Sequence, residues 1–265
     1  MPHLQHNGKN VYYEVHGTGA PLVILNGIMM STASWAMFLP ELTKRHQVVL
    51  LDFLDQGQSD RLEEDYTQAL QVDVVLAVVN HLDLKSFSLF GISYGGEVAL
   101  QFALTHKERL DHLLLFNTTA YTNPWLDDIG NGWIRAAELR DKELFYNATI
   151  PIIYSPMFYT KNIQWMNDRK AVLYDIFTDD FLDGMIRLTK SASSHNVKEK
   201  LPELDGLKTL VVGSDYDFIT PDFEQTFIHE KIASSQLFII KECGHASMYE
   251  KPEAFLTLIK GFLNN

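Results

Sequence analysis

The chain has 265 residues, 46% of them hydrophobic, which is enough for a sizeable core in one large domain or in a core carrying an insertion. Its 22 Lys and Arg stand against 34 Asp and Glu, a net charge of −12 with His neutral. That balance excludes the basic footprint of a nucleic-acid binder and opposes attachment to an anionic membrane surface.

In chain order, Asn7-Gly8 falls between two short extended segments and predicts a hairpin turn. Apolar runs at 21–26 (PLVILN), 47–52 (QVVLLD), 86–90 (SFSLF), 110–116, 207–212 and 236–240 predict strands, and their Val, Ile, Leu and Phe content suits strands covered on both faces. Helical patterns lie between them at 34–44, 66–82, 95–106, 222–231 and 252–262. Strands alternating with helices predict a parallel α/β sheet. The alternation lapses over 121–200, which holds three of the four tryptophans (Trp125, Trp133, Trp165) and shows helical periodicity at 133–145 and 179–191. This stretch predicts a helical insertion, dividing the chain into a core at 1–120 and 201–265 and an inserted cap at 121–200.

The one cysteine, Cys243, cannot form an intramolecular disulfide or an all-cysteine zinc site. Ten scattered histidines include no HExxH spacing, so no metal is expected. No GxGxxG or Walker A run predicts a nucleotide site, and no cofactor is expected. Asn117-Thr118-Thr119 fits a glycosylation sequon, but nothing points to secretion. No apolar run reaches the length of a membrane helix, and the opening Met1-Pro2-His3-Leu4 has no basic start followed by an apolar stretch. A reducing cytoplasm is the expected compartment. No feature sets an oligomeric state.

The most informative run is Gly91-Ile92-Ser93-Tyr94-Gly95, a GxSxG pattern after a predicted strand and before a predicted helix. Such a turn exposes a serine, and the following helix directs its N-terminal dipole at a developing oxyanion. A serine needs a base, and the base needs an acid to hold it. His245, in Cys243-Gly244-His245-Ala246 after the last predicted strand, is the candidate base. The run Gly213-Ser214-Asp215-Tyr216-Asp217 follows the preceding strand and offers two candidate acids, Asp215 and Asp217.

With these residues in that order, the chain resembles the α/β-hydrolase-fold serine hydrolases, over 1–120 and 201–265, with 121–200 similar only as a variable helical cap. Family members commonly carry an Asp four residues before a Pro at this point, so the resemblance favours Asp217, four before Pro221, over Asp215. Some relatives place the acid one strand earlier; here that position is Asn117, and the variant is not expected. The family tail Gly-His-x-x-x-x-Glu-x-Pro is present from Gly244 through Glu250 to Pro252 and supports His245. By the same resemblance, the backbone N–H groups of Ile28 and Tyr94 would form the oxyanion hole.

Two departures stand out. Asn26 replaces the usual His before Gly27, and Asp55 replaces a usual Gly in Asp52-Phe53-Leu54-Asp55-Gln56-Gly57-Gln58-Ser59. Asp tolerates left-handed backbone, so the turn is expected to survive, with Asp52 and Ser59 structural. Ser93 argues against the dehalogenase and epoxide hydrolase relatives, which use Asp at the elbow.

Met29, Met30, Trp35 and Met248 flank the catalytic loops and are expected to line the substrate pocket. The cap carries about ten charges of each sign and shows no net basic clamp. The expected function is cofactor-independent cleavage of small to medium apolar carboxylic esters through an acyl-enzyme. Lactone or other acyl and carbon–carbon hydrolysis with the same triad is the alternative, and a slow-turnover small-molecule sensor is a second.

Overall fold

The computed structural model describes residues 3–264; Met1, Pro2 and Asn265, the ends of the two predicted core segments, lie outside them. Eight strands form one sheet: β1 (His3–His6), β2 (Lys9–His16), β3 (Ala20–Leu25), β4 (His46–Leu51), β5 (Phe87–Ile92), β6 (Leu110–Phe116), β7 (Lys208–Ser214) and β8 (Gln236–Ile240). The order is β1-β2-β4-β3-β5-β6-β7-β8; β1 and β2 are antiparallel to their neighbours and the other pairings are parallel. The hairpin forms at Asn7 (φ 49°) and Gly8 (φ 78°), both left-handed, as an Asn-Gly turn requires.

The helices are α1 (Leu39–Leu42), α2 (Ala69–His81), α3 (Tyr94–His106), α4 (Pro124–Glu138), α5 (Lys142–Ile153), α6 (Pro156–Lys161), α7 (Ile163–Ile176), α8 (Asp179–Ala192), α9 (Asp222–Lys231), α10 (Ser247–Glu250) and α11 (Pro252–Leu263). The central strands bury both faces: β5 is buried at every position, with one apolar cluster under α2 and α3 and a second under α11. The five helices α4–α8 enter between β6 and β7 and carry a third apolar cluster that includes Phe145, Met166, Phe177 and Met185.

Two helical expectations fail for identifiable reasons. The pattern at 34–44 resolves into a 3₁₀ turn at Thr32–Trp35 and the short α1, which has Pro40 in its first turn, where a missing N–H costs nothing. The pattern at 133–145 spans the break between α4 and α5. There Arg140 is left-handed (φ 57°), and Asp141 accepts from the backbone N–H groups of Glu143 and Leu144 to start a new helix.

Candidate active site

Ser93 sits between the last residue of β5 and the first of α3 at φ 53°, ψ −124°, a conformation costly to a side-chain-bearing residue. The surroundings hold it there. Its N–H donates to Phe116 O at 2.9 Å, and Thr118 Oγ1 donates to its carbonyl at 2.8 Å. A Cβ on Gly95 would stand 2.4 Å from Leu25 O, and one on Gly91 would stand 2.3 Å from Gly95 O. Only glycine lets β3, β5 and α3 approach this closely around the serine.

His245, on the loop after β8, places Nε2 2.9 Å from Ser93 Oγ and Nδ1 2.8 Å from Asp217 Oδ2. Asp217, on the loop after β7, has a fully buried side chain. Its Oδ1 accepts from the N–H groups of Ile219 (2.8 Å) and Thr220 (2.9 Å), and its Oδ2 from Thr220 Oγ1 and Asn117 Nδ2 at 3.0 Å each. Together these bonds fix the orientation of the carboxylate. Asp215, the other candidate, accepts from Cys243 N at 3.3 Å and lies 3.9 Å from Lys241 Nζ, and makes no hydrogen bond to His245.

Three residues around this chain were not singled out by sequence reasoning. Asn117, at φ 44°, directly follows β6; besides its bond to Asp217 it donates to Ser214 Oγ at 3.0 Å and accepts from Ser247 Oγ at 2.6 Å. Only its position one strand before the acid hinted at this. Gln56 donates to the carbonyls of Gly27 (2.9 Å) and Ile28 (3.0 Å), steadying the loop after β3. Glu250, known from sequence only as part of a tail motif, accepts from Ser155 N (2.7 Å) and Ser155 Oγ (2.6 Å) and ties the α5–α6 junction to the histidine loop.

Tyr94 is the first residue of α3, so its N–H has no intrahelical acceptor. Ile28, on the loop after β3, lines the same space as Ser93. Asn26 replaces histidine without losing a fixed side chain: its Nδ2 donates to Leu51 O at 2.9 Å and its Oδ1 accepts from Trp35 Nε1 at 2.8 Å. That bond accounts for a correction. Trp35, expected in the pocket, is wholly buried against Phe38, Phe90 and Phe255 and forms core.

Two cavities meet at Ser93. The larger, about 340 Å³, runs between the core and α4 and is lined by Ile28, Tyr94, Glu97, Trp133, Ile219 and Thr220 among others. The smaller, about 90 Å³, holds Met29, Met30 and Met248 beside His245, and its far wall is Tyr154 and Arg169 of the cap. Glu97, one turn after Ser93, is buried, and burial pushes its carboxyl up to about 8 against one lowering hydrogen bond from Gln68 at 2.5 Å. Burial likewise raises the Cys243 thiol to about 12, which leaves it inert as a nucleophile. Among the described residues no cluster of His, Cys, Asp and Glu could hold a metal, and no helix is long and apolar enough to cross a membrane.

A mostly parallel sheet, a strained serine between β5 and α3, and an acid and a histidine on the loops after β7 and β8 define a hydrolase fold. The model of the alpha/beta hydrolase fold family matches residues 20–153, and the chain belongs to that family. It is 43% identical to MGS-M2, an alpha/beta hydrolase enzyme from a Medee basin deep-sea metagenome library, with a TM-score of 0.97 over 100% of this chain and 98% of that one. It is 27% identical to the 2-hydroxymuconate semialdehyde hydrolase of Pseudomonas sp. strain CF600, over 93% of this chain and 88% of the relative. It is 25% identical to 3-oxoadipate enol-lactonase 1 of Acinetobacter baylyi, over 97% and 94%. The protein is a hydrolase.

Proposed function

We propose that the protein is a serine hydrolase that cleaves small to medium carboxylic esters through an acyl-enzyme. The observation that carries this reading is the unbroken hydrogen-bond chain from Ser93 Oγ through both nitrogens of His245 to the buried Asp217 carboxylate, opening into the cavity under the cap. Ser93 Oγ attacks the ester carbonyl while His245 Nε2 takes its proton. The N–H groups of Ile28 and Tyr94 receive the oxyanion. His245 returns the proton to the leaving alcohol, and Asp217 holds the imidazole in the required tautomer and stabilises its charged form. Water, activated by the same histidine, then releases the acid. No cofactor enters this scheme, and the buried single cysteine is in keeping with a reducing cytoplasm.

Lactone hydrolysis is the second reading, favoured by the likeness to the enol-lactonase. It differs in that the leaving alcohol stays attached to the acyl group. The test is fluorophosphonate labelling and turnover of p-nitrophenyl esters of increasing chain length, for wild type and Ser93→Ala, with product analysis on matched cyclic and linear esters. Labelling and multiple turnover that both vanish in Ser93→Ala are expected. Wild-type-like turnover in that variant would overturn the assignment, and labelling with a single turnover would mean a sensor.

A further inference from the structure

The smaller cavity holds one permanent charge beside the reacting groups. The cap contributes four arginines, and three are paired: Arg135 with Glu138, Arg140 with Asp183 and Arg187 with Asp55. The fourth, Arg169 of α7, has no carboxylate within 4.0 Å among the described residues. Its guanidinium carbon lies 4.3 Å from the centre of the Tyr249 ring and 5.4 Å from that of Trp165, so aromatic faces rather than an anion hold it. Its Nε is buried without a hydrogen-bond partner. The wall it completes contains Ser93, His245, Met30 and Met248. A guanidinium is always charged and presents a planar fork that matches a carboxylate, and in an apolar cavity that match is far stronger than in water.

We infer that Arg169 is a specificity-determining residue and that the substrate is an ester bearing a free carboxylate, which Arg169 receives while Ser93 attacks the ester carbonyl. This rests on the serine hydrolase reading for its chemistry and on Arg169 alone for its selectivity. A cation here also offsets the repulsion an anionic substrate meets from a chain of net charge −12.

The experiment uses two matched pairs: monoethyl glutarate against ethyl 5-methylhexanoate, and carboxymethyl butyrate against isobutyl butyrate. In each pair an isopropyl group replaces the carboxylate. Wild type is expected to favour the anionic member of at least one pair by about tenfold or more in kcat/KM, chiefly through KM. Arg169→Gln should lose about tenfold more on that ester than on its neutral partner, and Arg169→Lys should recover part of the difference. Equal losses on both members would reduce Arg169 to a prop for Tyr249 and overturn the inference, as would a wild type indifferent to charge in both pairs. Calorimetric titration of glutarate into Ser93→Ala, with and without Arg169→Gln, separates the two readings. Binding that needs Arg169, together with a wild type that turns over no ester, would remove the esterase assignment and keep the anion subsite. Absent binding, or binding that ignores Arg169, would remove the subsite whatever the chemistry.

Discussion

Arg187 of α8 reaches out of the cap to Asp55 in the loop after β4: Nη2 lies 2.6 Å from Oδ1, and Nε lies 3.2 and 3.1 Å from the two carboxylate oxygens. The Asp55 side chain is fully buried and Arg187 is 14% exposed, so the pair is a fixed joint between the two layers. Asp55 stands at φ 73° where relatives use glycine, and the strain is offset by this joint and by the bond its Oδ1 accepts from Leu62 N at 3.0 Å.

The two halves of the joint are not equivalent. Arg187→Met strands a buried carboxylate and should cost about 3 kcal/mol, lowering Tm by roughly 6–12 °C. Asp55→Gly relieves the left-handed residue and frees an arginine long enough to swing into water, so it should cost less. Thermal denaturation of both variants checks the ranking; a larger loss for Asp55→Gly would mean that the loop, not the ion pair, carries the stability.

The assignment of the acid makes a kinetic prediction. Asp217→Asn should lower kcat on p-nitrophenyl esters by about 10³–10⁴, because an amide in that place no longer fixes the imidazole tautomer. Asp215→Asn should change it by less than about tenfold, since its nearest contacts are Cys243 N and Lys241 rather than His245. Steady-state rates for the two variants decide it, and the reverse order would move the acid.

Asn117 extends the same argument by one residue. Asn117→Ala removes the donor to Asp217 Oδ2 and puts alanine at φ 44°, which costs about 1–2 kcal/mol of backbone strain. Activity should fall by about tenfold or more in kcat with little change in KM, because Asn117 acts on substrate only through Asp217 and His245. A pH profile and a KM measured beside kcat distinguish this positioning role; a rise in KM alone would place Asn117 in substrate binding instead.

The sheet and the strained turn at Ser93 are legible because both rest on short-range patterns. Runs such as QVVLLD and the glycines at 91 and 95 allow few alternatives once a parallel sheet buries both faces. The break at Arg140 was not legible, because helical periodicity continues across it and the signal for a new start is a single Asp at 141. Trp35 lies in the core and not in the pocket because nearness in sequence to the loop after β3 says nothing about which way a side chain points. Its indole is turned inward by Asn26, itself a departure from the usual residue. Long-range partners such as Asp55–Arg187 and Asn117–Asp217, 132 and 100 residues apart, leave no local trace at all.

Glu97 gives the final prediction, and its sign follows from burial. Its carboxyl ionises near 4.5 when exposed and at about 8 in the fold, where burial disfavours the charge. Below pH 4.5 both states are protonated and the group imposes no penalty. Between 4.5 and 8 the unfolded chain releases the proton while the folded chain keeps it, so stability falls as pH rises, and above 8 the penalty is constant. Glu97→Gln carries no titrating proton and keeps an acceptor for Gln68. The variant should therefore gain on wild type across that window, by about 2–4 kcal/mol from one end to the other. Urea denaturation of both proteins at several pH values between 4.5 and 8.5 measures the difference. A pH-independent difference would mean that Glu97 ionises in the fold near its exposed value. A loss that grows with pH would mean that the charged form is stabilised, with a cation drawn to the larger cavity beside Ser93.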